Sequence, residues 1–171
     1  MSNQNLFLYI KKPNGRYEVA DPSIVVQSAN EIVDAHYYRE DPIIISNPSV
    51  AREQLYLRCH WEHETFAAMF LDSKHRVIKV EQLFRGTIDN ASVPVREVVK
   101  DALKCNAAAM IVSHNHPSGV NEPSAADRSL TESLYLALGM MGIKLLDHFI
   151  FGEGGYKSAF SFAEAGTLSG L

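Results

Sequence analysis

The 171-residue chain has only two cysteines, Cys59 and Cys105, and no Cys-x-x-Cys pair. That argues against a disulfide framework and points to two reduced, buried thiols. Long apolar runs are scarce near the N-terminus. The longest there, Leu6 to Ile10, is too short for a signal-peptide core or a membrane span. The chain is therefore expected to be cytoplasmic, with no membrane role. Positive charge is also in short supply: 16 Lys and Arg stand against 20 Asp and Glu, for a net charge of −4 and a pI near 6.0. A broad nucleic-acid footprint would normally be basic, so it gains no support, although a local basic patch is left open. Internal repeats and low-complexity linkers are absent. What is present is a globular composition, 46% hydrophobic and 21% charged, with length enough for a real core.

The chemistry is concentrated between Ala107 and Asp127. Ala107 to Val112 is an apolar run that reads as a buried strand. It leads into His114-Asn115-His116, and strand alternation puts the two histidines on one face with Asn115 opposite. Pro117-Ser118-Gly119 turns the backbone, and Pro123-Ser124 opens a helix with Asp127 in its first turn. Two imidazoles and a nearby carboxylate are a possible ligand set for zinc, with iron, cobalt or manganese as alternatives. Catalytic zinc usually takes three protein ligands and can bring the pKa of its water to about 7. The bland alternative is a plain capping box, with Ser124 at N-cap and Asp127 at N3. Spacing alone leaves both readings open.

The rest of the chain reads as alternating strands and helices. Residues 6–11 and 16–20 form a hairpin around Asn14-Gly15, Asp21-Pro22 breaks the pattern, and Ser28 opens a helix to about Tyr38. Ile43 to Ile45 is a short strand candidate. Asn47-Pro48 starts a helix. Strands are expected over 64–71 and 76–84, with 86–90 continuing as strand or connector. A helix follows over 94–105, then the strand 107–113, a helix over 124–141 and a strand over 143–151. Gly152 to Gly155 is a turn, 156–160 a returning strand, and Glu164 to Leu171 is expected to be loose. On the helix after Ser124, Leu130, Leu134, Leu136, Ala137, Leu138, Met140 and Met141 are expected to form one wide buried face. His60 and His63 do not make a His-Glu-x-x-His zinc motif and read as a solvated helix end. His36 and His75 read as surface or turn residues. His148 reads as a packed, hydrogen-bonded histidine.

His114-x-His116-Pro117, the stretch to Pro123, and Ser124-x-x-Asp127 resemble the JAMM motif of MPN-domain metallopeptidases. The fuller string His-Asn-His-Pro-Ser-Gly resembles the RadC family in particular, as do Leu83-Phe84-Arg85-Gly86-Thr87, Arg96-Glu97, Asn106-Ala107-Ala108 and Leu146-Asp147-His148. The resemblance covers roughly Pro48 to Gly152. It implies an α/β three-layer, cytidine-deaminase-like sandwich with a mixed central sheet over 47–171, preceded by a hairpin-and-helix extension over 1–46. It also implies zinc on His114, His116 and Asp127, oxyanion stabilisation by Ser124, and an upstream glutamate as general base. Glu64, just before an apolar strand, is favoured for that base. Glu81 is the rival and Glu62 a weaker one. Longer RadC proteins are expected to carry a helix-hairpin-helix region, and no Gly-rich hairpin of that type is legible here.

Three functions follow. The first is a zinc-dependent hydrolase of a peptide, isopeptide or related amide bond, with a peptide or protein as substrate. The second is a metal-stabilised binding module without turnover. The third is a DNA-associated accessory or repair protein, against which the acidic charge counts. Oligomeric state is not legible.

Overall fold

The computed structural model describes residues 8–37, 43–59, 62–86 and 93–168, with the side chains at 33–37 left aside. The backbone divides into two units, Met1–Glu40 and Asp41–Leu171. In the first, β1 (Tyr9–Lys11) and β2 (Tyr17–Val19) form an antiparallel hairpin in which Ile10 faces Glu18. Its turn is closed by a bond from the Gly15 N–H to the Lys12 carbonyl, and Gly15 takes the positive φ of +80° that such a turn needs. Helix α1 runs from Pro22 to Tyr37, six residues earlier than a start at Ser28 would give. Pro22 does not break the chain. It begins the helix, where a missing N–H is harmless, and the Asp21 carboxylate caps the Ser23 N–H at 2.8 Å. The expected helix end at Tyr38 lies outside the described residues, as do His60, Trp61 and the 87–90 connector.

The second unit is a mixed α/β domain. Its elements are α2 (Pro48–Tyr56), β3 (Thr65–Leu71), β4 (Val77–Arg85), α3 (Val95–Lys104), β5 (Ala109–Asn115), α4 (Ala125–Met140), β6 (Lys144–Phe151) and β7 (Phe160–Ser161). The five strands lie in the order β4-β3-β5-β6-β7. The β5–β6 pair is parallel and the others antiparallel, so the sheet is mixed. Ile43 to Ile45 join this unit: Ile44 bridges to Arg76, and the Val77 N–H donates to the Ile43 carbonyl.

Strands β3 and β5 are buried along their whole length, as near-continuous apolar runs in the middle of a covered sheet should be. On one face Phe66, Ala68, Phe70, Met110, Val112 and Ile150 pack with Val98 and Ala102 of α3 and Leu134 and Leu138 of α4. Each fully buried Phe or Leu here contributes roughly 1.5–3 kcal/mol. Helix α2 supplies further buried side chains, Ala51 and Leu55. Asn106 ends α3 in a left-handed turn at φ +51°, a conformation asparagine tolerates.

Two expectations are corrected. The face of α4 is narrower than its composition suggested: Leu136, Met140 and Met141 are exposed, at 54%, 82% and 50%. The buried stripe is Asp127, Thr131, Leu134 and Leu138, set by the 3.6-residue period rather than by the count of apolar residues. Nor is the C-terminal stretch loose as far as Leu168. After a single 3-10 turn at Tyr156–Ser158, β7 pairs with β6, and Phe162 and Leu168 are buried. Asp147 holds this segment, accepting from Ser161 Oγ at 2.6 Å and from the Ala163 N–H at 3.0 Å. Among the described residues no helix is long and apolar enough to cross a membrane.

Candidate metal centre

Strand β5 runs two residues further than the apolar pattern predicted and so includes His114 and Asn115. His114 stands opposite Phe66 of β3 and Ile150 of β6, on the face that packs α4. His116 follows directly after the strand, its N–H bonded to the Phe151 carbonyl. Ser124 caps α4: its Oγ accepts from the Asp127 N–H, while the Asp127 carboxylate accepts from the Ser124 N–H at 2.7 Å and the Ser124 hydroxyl at 2.6 Å. The capping box is therefore present. It also serves a second end, because it holds the Asp127 side chain with Oδ1 toward His114 and with Oδ2, the oxygen that Ser124 bonds, toward His116.

Three side chains converge as a result. His114 Nε2 lies 2.9 Å from His116 Nε2 and 3.1 Å from Asp127 Oδ1, and His116 Nε2 lies 3.5 Å from Asp127 Oδ2. His114 is 2% exposed. His116 Nδ1 is 2.7 Å from the Val120 carbonyl oxygen, which can only accept, so Nδ1 carries the hydrogen and a neutral His116 offers a bare Nε2 to the cluster. Burial by itself would raise the Asp127 carboxyl, but the attraction of His114 and His116, whose rings donate from Nε2 when protonated, and the Ser124 hydroxyl outweigh this and hold it far below the usual carboxylate range. The His116 imidazole is raised, chiefly by its bond to Asp127, with burial opposing and the Val120 carbonyl and the charge of Glu64 adding to the rise. An anion and ring nitrogens held this close favour a positive charge between them. His114, His116 and Asp127 can hold a metal ion.

The loop between the ligands is tied down. The Gly119 carbonyl accepts from the Glu153 N–H at 3.0 Å. A Cβ on Gly152 would come within 2.3 Å of that same carbonyl oxygen, so only glycine fits there. Asn121 bonds the Ser158 carbonyl.

Glu64 sits immediately before β3 and is exposed. It lines a cavity of about 470 Å³ together with Glu62, His63, Gly86, His116, Pro117 and Ser118. Glu81 is elsewhere. It pairs with Lys79 at 2.6 Å on β4, opposite Ala68, and its charge is felt by Lys104 at the end of α3. Glu64 and Glu62 are thus brought to the cavity that His116 lines, and Glu81 is not among its lining.

Reading the chain by itself passed over Thr131 and gave Asn115 no partner, whereas it took His148 as a packed, hydrogen-bonded histidine, as the structure has it. Asn115 holds the backbone on both sides of Glu64: its Oδ1 accepts from the Thr65 N–H at 3.0 Å and from the Thr65 hydroxyl, and its Nδ2 donates to the His63 carbonyl at 3.0 Å. Its only sequence signal was that it points away from the histidines. His148 is wholly buried, with Nε2 2.8 Å from His114 Nδ1. Burial pushes His148 well below the ordinary imidazole value, and neighbouring His114 adds to this. Thr131 completes the set at 2.7 Å from His148 Nδ1. Its signal was legible: it lies four residues after Asp127, one turn along the same face.

This is an α/β domain with a two-histidine, one-aspartate cluster at one end of its central strand. The chain belongs to the RadC-like JAB domain family, whose profile matches residues 45–167. It is 48% identical over 147 residues to a UPF0758 protein of Vibrio cholerae, a match that covers 84% of this chain and 88% of that one. It is 49% identical over 143 residues to a UPF0758 protein of Actinobacillus succinogenes, covering 82% of this chain and 60% of the relative. A third, from Thiobacillus denitrificans, is 55% identical over 125 residues, 72% of this chain and 54% of the relative. The chain thus spans little more than half the length of the last two.

Proposed function

We propose that this domain is a zinc-dependent hydrolase of an amide bond in a peptide or protein, working in a reducing, cytoplasmic setting that suits its two free thiols. The observation that carries the reading is the cluster: His114 Nε2, His116 Nε2 and the Asp127 carboxylate lie 2.9–3.5 Å from one another beside an open cavity that also holds Glu64. Four ligands at about 2.0–2.1 Å from a tetrahedral zinc ion would stand roughly 3.3 Å apart, which supports the fit. A zinc ion bound there would act as a Lewis acid toward a carbonyl oxygen and acidify water.

The chain's own residues would do the rest. Glu64, exposed on the cavity wall and fixed through its flanking backbone by Asn115, would take the proton of the attacking water and pass it to the leaving nitrogen as the C–N bond breaks. The Ser124 hydroxyl would turn from Asp127 Oδ2 to donate to the developing oxyanion, while the Ser124 N–H keeps its bond to Asp127. The cavity would take the chain of a peptide across His116 and Pro117.

The test is metal analysis of protein purified without chelator, followed by a peptide-library assay. Near-stoichiometric zinc is expected in the wild type and in Glu64→Ala, and almost none in His114→Ala. Hydrolysis should be lost in both variants. A metal-free wild type would sink the reading, and normal turnover in Glu64→Ala would remove Glu64 as the base.

A further inference from the structure

We propose that Thr131 and His148 are positioning residues that fix His114 in the tautomer with its hydrogen on Nδ1, so that its bare Nε2 faces His116 and Asp127. The proposal rests on the metal-centre reading above.

The hydrogens can be placed one after another along three buried contacts. Thr131 Oγ1 lies 2.6 Å from the backbone carbonyl oxygen of Asp127 and 2.7 Å from His148 Nδ1. A carbonyl oxygen only accepts, and a hydroxyl has one hydrogen. Two oxygens 2.6 Å apart need a hydrogen between them, so the Thr131 hydrogen points at Asp127, in the common back-bond of a helical threonine. Thr131 Oγ1 then has only lone pairs for His148. His148 Nδ1 must carry a hydrogen, and in a neutral imidazole this leaves Nε2 bare. That bare nitrogen is 2.8 Å from His114 Nδ1, which must therefore be an N–H. His114 Nε2 is left with its lone pair, 3.1 Å from Asp127 Oδ1.

Packing keeps the chain of hydrogens in this order. The His148 ring is stacked on Phe162 at an interplanar angle of 13° and meets Phe66 edge-on, and it is fully buried, so it can neither flip freely nor borrow a partner from solvent. The two histidines thus reach the same tautomer by different routes. His116, beside a loop, uses the Val120 carbonyl directly. His114, inside a strand, has its hydrogen position set from the Asp127 carbonyl through Thr131 and His148. Asp127 would then contribute twice, as a carboxylate ligand and as the backbone acceptor that starts the relay.

Thr131→Val keeps the branched shape and removes the hydroxyl. His148 Nδ1–H would lose its acceptor, its hydrogen would move to Nε2, and His114 would be driven to the Nε2–H form that cannot ligate through that atom. Zinc affinity, read by competition with a chromophoric chelator, should fall about ten- to a hundredfold. Thr131→Ser should restore it. Independently of any metal, ¹⁵N shifts of the His114 ring in the metal-free protein at about pH 9, above the imidazole range, should report Nδ1–H in the wild type and Thr131→Ser and Nε2–H in Thr131→Val. Unchanged zinc affinity in a folded Thr131→Val, or Nε2–H on His114 in the wild type, overturns the relay and leaves the metal centre standing. A wild type that binds no zinc overturns the metal centre instead, and the ring shifts of the wild type still decide the relay whether or not the valine variant folds.

Discussion

Asp127 and Asp147 are both buried carboxylates, 8% and 5% exposed, and both accept bonds from a serine hydroxyl and from backbone N–H groups. Their acidities nevertheless move in opposite directions. At Asp147 burial dominates, its bonds from the Ser161 hydroxyl and the backbone N–H groups of Ala163 and His148, with the charge of Arg52, only partly offset it, and the carboxyl is raised. Burial opposes ionisation at Asp127 too, but this carboxylate faces two imidazoles, and it is pulled far down. The difference separates a carboxylate that ties backbone together from one that faces two imidazoles. Hydrogen-bond count does not separate them. The imidazoles beside both oxygens of Asp127 do.

The largest effect should come from removing the charge on the Asp127 side. Asp127→Asn keeps the size of the side chain, and because a lost outer partner alone costs about ten- to a hundredfold in metal affinity, loss of a ligand should exceed that. Isothermal titration with zinc measures it. Asn that binds zinc as tightly as Asp would erase the contrast.

Asp147→Ala should do the reverse. Zinc binding should be retained, while stability falls by about 3 kcal/mol as three donors lose their acceptor, a drop in Tm of roughly 6–12 °C. Hydrogen exchange should show protection lost around Phe162 and Thr167 first, since Asp147 holds that segment to β6.

Ser124→Ala should cost about 1 kcal/mol of stability as a lost N-cap. It tests whether the serine also contributes to turnover: a fall in kcat at unchanged zinc content is expected, and an unchanged kcat would leave Ser124 as a cap alone.

The smallest effect is on the pH profile. Because the folded Asp147 carboxyl is raised, the native state binds its proton more tightly than the unfolded chain. The contribution is therefore greatest below the unfolded value of about 3.9 and is lost as pH rises through the folded value. For Asp127, lowered on folding, the sign reverses: its contribution is present above about 3.9 and lost only as pH falls through its folded value. Subtracting the urea-denaturation profile of Asp147→Asn from that of the wild type should give a difference that declines from pH 4 upward and then levels. A flat difference would mean that Asp147 is not raised.

A Cys59 thiol pushed up to about 12 by burial is expected to stay protonated and unreactive. Both Cys59 and Cys105 are free and half-buried, short of the full burial expected of them.

The sequence by itself determined the order of most elements, an α/β class and a candidate trio of side chains, because these depend on period and spacing; the mixed sheet and the trio's role as ligands were implied by the resemblance to the RadC family. Alternation put His114 and His116 on one face, and a serine three residues before an aspartate marked the first turn of α4. Only the tertiary structure decided that His148, in a strand hydrogen-bonded beside β5, reaches His114, that Asn115 holds the segment around Glu64, that Glu64 and not Glu81 shares a cavity with His116, and that Asp147 fastens the C-terminal segment. The reason is physical. A periodic pattern says which way a side chain points from its own element, whereas the partner of a buried polar atom is fixed by strand register and helix placement between residues far apart in the chain.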